Sequence, residues 1–306
     1  MATVRADGAH RIHTMRIPVV GLVLLMASAA IARAQVQVEL KFSRLQYIAY
    51  EPLNATVSIT NRAGRDIDLR DADSQSWFGF EVTRNDGESV GSARPADWEP
   101  LHIGASQTVT RKINLSPLFS MEDFGAYHVR AHLYFADLGR YFYSPTKVVQ
   151  VTSARPIWKQ SVGVPDASGG GDGVRTYSLM TNRFPDHTSL YVRVEDESRG
   201  VVYATYSLGR VVSFDEPRAE IDRANRLHVL HCAGPRTWSA ATIGLNGELL
   251  TQTTLLETKT RPHFKKSGAG EVTVVGGMSE SALPAPLAAQ RVPKLSARPE
   301  RGKPEE

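Results

Sequence analysis

Cysteine is almost missing: the chain of 306 residues has one, Cys232. One thiol cannot close an intramolecular disulfide, so a stapled scaffold is excluded and the fold must rest on hydrophobic cores, which a chain of this length can build. A surplus of one charge is missing too. The formal net charge is +4, but Arg5, Arg11, Arg16 and Arg33 lie in the first 34 residues against the single acid Asp7, and without them 32 basic side chains face 31 acidic ones. Such a body has no excess of Lys and Arg to neutralise phosphates. With no basic stripe, zinc-finger spacing or helix-turn-helix pattern either, nucleic acid is not an expected partner. The standard catalytic signatures are also absent: no G-x-S-x-G elbow, H-E-x-x-H, Walker A loop or dinucleotide fingerprint. No cofactor, metal or catalytic residue is therefore assigned. After residue 34 no apolar run approaches the roughly 20 residues of a spanning helix, so no membrane span is expected once the leader is cleaved.

What is present begins with that leader. MRIPVVGLVLLMASAAIARA, residues 15–34, has a basic start, an apolar run and an A-x-A site at Ala32-Arg33-Ala34, the pattern of a signal peptide over residues 1–34. Cleavage would expose Gln35. A retained anchor is the competing reading, and Met15 competes with Met1 as the start. The expected location is secreted or periplasmic.

From Gln35 the text alternates. VQVELKF places Val36, Val38, Leu40 and Phe42 on one face and Gln37, Glu39 and Lys41 on the other; NATVSITN does the same with Ala55, Val57 and Ile59. Turn residues at Asn61–Gly64 and Asp86-Gly87 separate these runs, and QTVTRKINL, GAYHVRAHLYF and KVVQV follow. The Asp86-Gly87 pair predicts a type I′ hairpin. About seven strands without helical period predict an antiparallel β-sandwich over 35–153.

Residues 154–173 shift in composition, with two prolines and the Ser168–Gly173 run, and read as a flexible linker with Trp158 packing at a domain junction. Beyond it the chain repeats. LYVRVEDESRGVVYATYSL (190–208) aligns without a gap on LHVLHCAGPRTWSAATIGL (227–245), and EVTVVGG (271–277) is a truncated third echo. The reading is a small β-repeat domain over 174–278, stacked or propeller-like, since a closed propeller typically needs at least four blades. Residues 279–306, rich in Pro, Ala and mixed charge, read as a disordered tail.

Four groups of residues invite chemistry. LHVLHC brings His228, His231 and Cys232 together, but on a strand adjacent side chains diverge, so His231 and Cys232 are not a nucleophile pair. Asp66, Asp68, Asp71 and Asp73 crowd hard oxygen ligands that suit calcium, without the glycine and distal glutamate of an EF-hand loop. His128 and His132 are spaced for one metal on a helix, yet on a strand they lie about 13 Å apart. Arg236 and Trp238 are the candidate ligand pair, a cation beside a ring that suits a sugar.

YEPLNATVSITNRAG (50–64), INLSPLF (113–119) and FGAYHVRAHL (124–133) resemble the immunoglobulin-like domains of bacterial secreted proteins and of proteinase inhibitors of the BsuPI and macroglobulin type. That resemblance implies an all-β immunoglobulin-like sandwich, with Tyr127 near the start of a late strand. Signal peptide, sandwich and repeat in that order are similar to uncharacterised bacterial exported proteins, which implies no activity. The expected function is non-catalytic binding of an envelope or extracellular protein or glycan. The alternatives are a proteinase inhibitor and a hydrolase with an unrecognised site in the repeat domain.

Overall fold

The computed structural model describes residues 35–94, 96–165, 172–212 and 214–279. The expected leader and, from residue 280, the expected tail lie outside the described residues. The described chain is all-β and has no helix long and apolar enough to cross a membrane.

Residues 36–152 supply β1 (Val36–Phe42), β2 (Gln46–Ile48), β3 (Asn54–Asn61), β4 (Ile67–Leu69), β5 (Phe78–Arg84), β6 (Leu101–Ile103), β7 (Thr108–Asn114), β8 (Gly125–Phe135), β9 (Arg140–Tyr143) and β10 (Lys147–Thr152). One sheet has the order β1-β3-β7; the other runs β2-β10-β8-β5 with β9 beside β8, and β4 pairs with β6. All pairings are antiparallel except β2 with β10, which is parallel. The alternation read from the sequence decides the core: Val36, Val38 and Leu40, then Ala55, Val57 and Ile59, then Val129, Ala131 and Leu133 all point between the sheets. Tyr127, buried, donates its hydroxyl proton to the Asp123 carbonyl at 3.0 Å, the corner device of β-sandwiches. Asn61 is fully buried and closes its turn by donating to the Arg65, Ile103 and Gly104 carbonyls at 2.7–3.0 Å and accepting from Ala63 N. The Asp86-Gly87 turn differs from expectation, because only Gly87 takes a positive φ, 87°, whereas type I′ requires two such residues.

The expected linker is a correction. Residues 155–165 form β11 (Arg155–Pro165), which pairs along its length with β12 (Asp172–Arg183). Residues 155–165 are thus strand where a flexible linker was expected, and residues 166–171 lie outside the described residues. Trp158 packs against the core between the next two sheets. With β13 (Thr188–Asp196) and β14 (Val201–Val211) these strands make a four-stranded meander. The second meander is β15 (Arg218–Ile221), β16 (Leu227–Gly234), β17 (Thr237–Ile243) and β18 (Leu249–Leu256), extended by β21 (Met278–Ser279). A hairpin of β19 (His263–Lys266) and β20 (Val272–Val275) completes the described chain.

The sequence repeat maps onto this pair of sheets. Leu190 and Leu227, and Val192 and Val229, occupy equivalent places on β13 and β16, and all four meet in one core between the meanders. Each sheet is covered on its second face as well. Met180 and Tyr191 pack with Ile48 of the sandwich, while Leu230, Cys232 and Trp238 lie under Phe264 and Val274 of the hairpin. The third echo is thus a lid on the stack. It supplies the polar outer surface that a terminal repeat needs. Tight stacking fixes the Asn246-Gly247 turn too: a Cβ on Gly247, φ 85°, would fall 2.3 Å from the Ala204 Cβ of the other meander.

The sandwich and the first meander meet through polar contacts. Arg44 pairs with the buried carboxylate of Glu51 and donates to the Tyr191 hydroxyl at 2.9 Å. Arg193 donates to the Ala49 carbonyl at 2.7 Å and lies 5.0 Å from the centre of the Tyr50 ring. Burial raises the Glu51 carboxyl above its usual range even though Arg44 pulls it down. The same burial takes the Tyr191 phenol up to about 12.

Candidate binding site

The LHVLHC residues are core. His231 is fully buried and Cys232 is 4% exposed, on a central strand whose two faces are both covered. Cys232 packs with Leu230 and Trp238 beneath the hairpin, and its thiol, raised by burial, donates to the Gly234 carbonyl at 3.2 Å. His231, on the opposite face, has no hydrogen bond at either ring nitrogen, and burial pushes its imidazole down to about 4. It is neutral at ordinary pH.

The same strand carries a row that sequence reading missed. His228 Nε2 lies 2.9 Å from Asp222 Oδ2, and His228 Nδ1 lies 3.3 Å from Thr242 Oγ1. Hydroxyl, imidazole and carboxylate in line resemble an activated nucleophile. The carboxylate, however, also accepts from Ala224 N, Arg226 N and Arg226 Nε. Burial opposes its charge, yet His228 and Arg226 prevail and hold it below the usual range. Asp222 therefore staples the β15–β16 turn. Thr242 sits on β17, a central strand whose N–H groups serve the ladders to β16 and β18, so it offers no pair of free donors for an oxyanion.

Arg236 and Trp238 do not form the expected ligand pair. Trp238 is 1% exposed, donates through Nε1 to Glu257 Oε2 at 3.0 Å, and has the Arg261 guanidinium, not that of Arg236, 5.4 Å from its ring centre. Arg236 lies in the turn at φ 56° and donates to the Glu257 carbonyl. The hairpin lid, 26 residues further along, closes the ring face against any sugar.

The four aspartates do not gather at one point, although Asp66 and Asp68 both approach His102, at 3.9 and 2.8 Å. Asp68 pairs with His102 at 2.8 Å, Asp66 accepts from Ala105 N, Asp71 accepts from Trp77 N and Asp73 accepts from the Tyr134 hydroxyl. Among the described residues no group of three or more His, Cys, Asp or Glu side chains is placed to hold a metal ion. His128 and His132 share the outer face of β8 but pair with different neighbours: Thr83 and Val148 flank the first, Gly79 and Tyr143 the second.

His132 leads to the most distinctive surface of the molecule. On the outer face of β5, β8 and β9, His132 sits in register between Gly79 and Tyr143, and Tyr134 lies opposite Tyr141. The rings form a continuous group, with centroids 5.0 Å apart for Tyr134 and Tyr141, 5.6 Å for His132 and Tyr141, and 6.1 Å for Tyr141 and Tyr143. Tyr141 and Tyr143 are 36% and 45% exposed. Gly79 makes room for the group, because a Cβ there would stand 2.6 Å from His132 Nε2. The rim is polar: Arg130 pairs with Glu81 at 2.5 Å and stacks 4.4 Å from the Tyr143 centre, and the Tyr141 hydroxyl donates to Gln75. Burial lowers the His132 imidazole, whose Nδ1 makes no hydrogen bond. The outer face of the other sheet contrasts with this, being a hydroxyl ladder in which Ser58 meets Thr110 and Thr60 meets Thr108.

No protein-family model matches the chain, and no curated protein matches it. Among solved structures it is similar to Spo0M, the sporulation control protein of Bacillus subtilis, at 11% identity and a TM-score of 0.26, over 56% of this chain and 90% of that one. A likeness of that score carries no argument about fold or activity.

Proposed function

We propose that this is a secreted or periplasmic, non-catalytic binding protein: an immunoglobulin-like sandwich that presents a contact surface, braced by a two-sheet β-repeat unit. The observation that carries the reading is the open ring face of β5, β8 and β9. Two tyrosines held half in water on a rigid sheet supply contact area at little entropic cost, and exposed aromatic groups rimmed by polar ones mark contact surfaces. The leader pattern of residues 15–34 supports export. The parallel β2–β10 edge and the Tyr127 corner support the immunoglobulin-like assignment, as does the resemblance of residues 50–64 and 124–133 to exported sandwich domains. The partner is an envelope or extracellular protein or glycan. The test has two arms: fractionation of producing cells, then retention of the exported chain by envelope fractions. Recovery outside the cytoplasm with saturable retention is expected. Cytoplasmic recovery overturns the export reading. Inhibition across a protease panel, or turnover of esters, peptides or glycosides lost in His228→Ala, replaces binding with inhibition or hydrolysis.

A further inference from the structure

Resting on that binding reading, we propose that the β5–β8–β9 face takes a neutral glycan, with a pyranose stacked on Tyr141 and Tyr143 and the chain continuing into the groove beside β1. The first ground is shape. Tyr143 both belongs to the ring group and lines a groove of about 380 Å³, whose other walls are Gln37, Glu39 and Lys41 of β1 with Pro145 and Lys147. Val36, Val38, Leu40 and Phe142 also line this groove, so its walls are of mixed character, and ring platform and groove are continuous through Tyr143, as an extended chain of sugars requires.

The second ground is chemistry. The face of a pyranose is a patch of C–H groups matched to the negative face of an aromatic ring, and its edge carries hydroxyls that need partners. Arg130, paired with Glu81, already lies over one side of Tyr143, so a sugar meets the exposed remainder of Tyr143 and Tyr141, beside which Gln75, Asp73 and Glu81 carry oxygens that accept from hydroxyls. Gly79 holds the middle of the platform open. Any side chain there displaces His132.

The third ground is charge. Arg130 is matched by Glu81 and Lys41 by Glu39 at 3.3 Å, which leaves Lys147 as the one groove lysine without an ion pair among the described residues; one exposed charge sets no strong field and favours a neutral over an anionic polymer. Size argues against a protein partner at this spot. Two part-exposed rings in a polar surround fall well short of the roughly 800 Å² per side of a stable protein interface.

Affinity electrophoresis and calorimetry of the full exported chain with soluble neutral glycans (β-glucan, xyloglucan, mannan, starch and chitooligosaccharides) test this, with polygalacturonate as the anionic control. At least one neutral glycan binds, and about 0.5 M salt leaves the binding in place because no ion pair with the ligand is broken. Tyr141→Ala and Tyr143→Ala each weaken it about tenfold or more, Tyr143→Phe keeps most of it, and Gly79→Val abolishes it. The alanine variants lose ring packing and melt somewhat below the parent, so binding is read well under both melting temperatures, and the Tyr143→Phe variant separates loss of the ring from loss of the hydroxyl. Binding by polygalacturonate alone, no binding across the neutral panel, or alanine variants that bind like the parent overturns the proposal. Envelope retention that persists in Tyr141→Ala/Tyr143→Ala leaves the general binding reading standing and removes only the glycan platform.

Discussion

His231 makes this protein sensitive to acid in a definite window. Its ring is fully buried in the core between the two meanders, and although it faces the Arg210 backbone neither nitrogen makes a well-formed hydrogen bond. The unfolded chain accepts a proton on this imidazole near pH 6.5, while the folded chain resists until about pH 4. Between those values the unfolded state binds more protons, so stability falls as the pH is lowered through the window and is untouched above it. Each pH unit corresponds to about 1.4 kcal/mol, so the whole effect is about 3 kcal/mol, a large share of the roughly 5–15 kcal/mol that holds a domain together. His231→Leu removes the titrating group and replaces an unpaired donor and acceptor with methyls of similar bulk. The variant should gain about 1–2 kcal/mol at pH 7 and, relative to the parent, about 3 kcal/mol more by pH 4. Urea unfolding followed by tryptophan fluorescence at pH 7, 5.5 and 4 reads both numbers, with Trp238 on the neighbouring strand as reporter. A variant less stable than the parent at pH 7, with an unchanged acid limb, refutes the reasoning, since it would show the nitrogens satisfied in solution.

Three further outcomes follow from packing. Gly247→Ala combines a left-handed φ with a Cβ 2.3 Å from that of Ala204; it should cost about 2–4 kcal/mol, seen as a lowered melting temperature. Trp238→Ala empties the core under the hairpin lid and strands Glu257; a loss of about 3–5 kcal/mol is expected, together with faster labelling of Cys232 by a thiol reagent as the lid loosens. Arg44→Met leaves the Glu51 carboxylate buried beside Tyr191 without its cation, at about 2–4 kcal/mol at pH 7. Because burial already raises that carboxyl, the deficit shrinks as the pH falls and the group takes up its proton. Denaturation midpoints at pH 5 and pH 7 separate this from simple loss of packing.

Strand alternation was legible because it is local. Val36, Val38 and Leu40 declare an inner face by period alone, and the repeat at 190–208 and 227–245 announced two equivalent hairpins whose Leu and Val positions meet in one core. LHVLHC was readable too, once both faces of its strand were allowed to be covered. What local pattern cannot show is which element lies on top. Trp238 beside Arg236 suggested a cation and ring for a sugar, but Phe264 and Val274, far along the chain, close over it. The linker was misread for the opposite reason: composition alone marked 154–173, and nothing nearby revealed that β11 would pair with β12 along its length. The ring group escaped notice because its members come from four segments. Gln75, Gly79, His132, Tyr141 and Tyr143 become neighbours only through the β5–β8–β9 register, although aromatic residues at alternate positions in RYFY were a usable signal for an open face.

The arrangement of layers also bears on why the proposed contact surface lies on the sandwich. In the stack the sheets are largely turned against one another: an edge of the sandwich packs on the first meander, the first on the second, and the second under the hairpin lid. A strand covered on both sides, as β16 is, can hold unusual residues such as His231 but offers a partner little surface. The sandwich has two outer faces, and they have been treated differently by the sequence. One carries Ser and Thr in cross-strand pairs that need only water. On the other, a glycine is set where a side chain would fill the space, and the tyrosines around it are left part-exposed at a standing cost in hydrophobic stability. Were that face merely solvated, Gly79→Ser with His132→Thr would be as tolerable as the hydroxyl ladder opposite and would stabilise the strand. A variant of that kind that folds better than the parent yet no longer binds would show that the glycine and the rings are kept for contact.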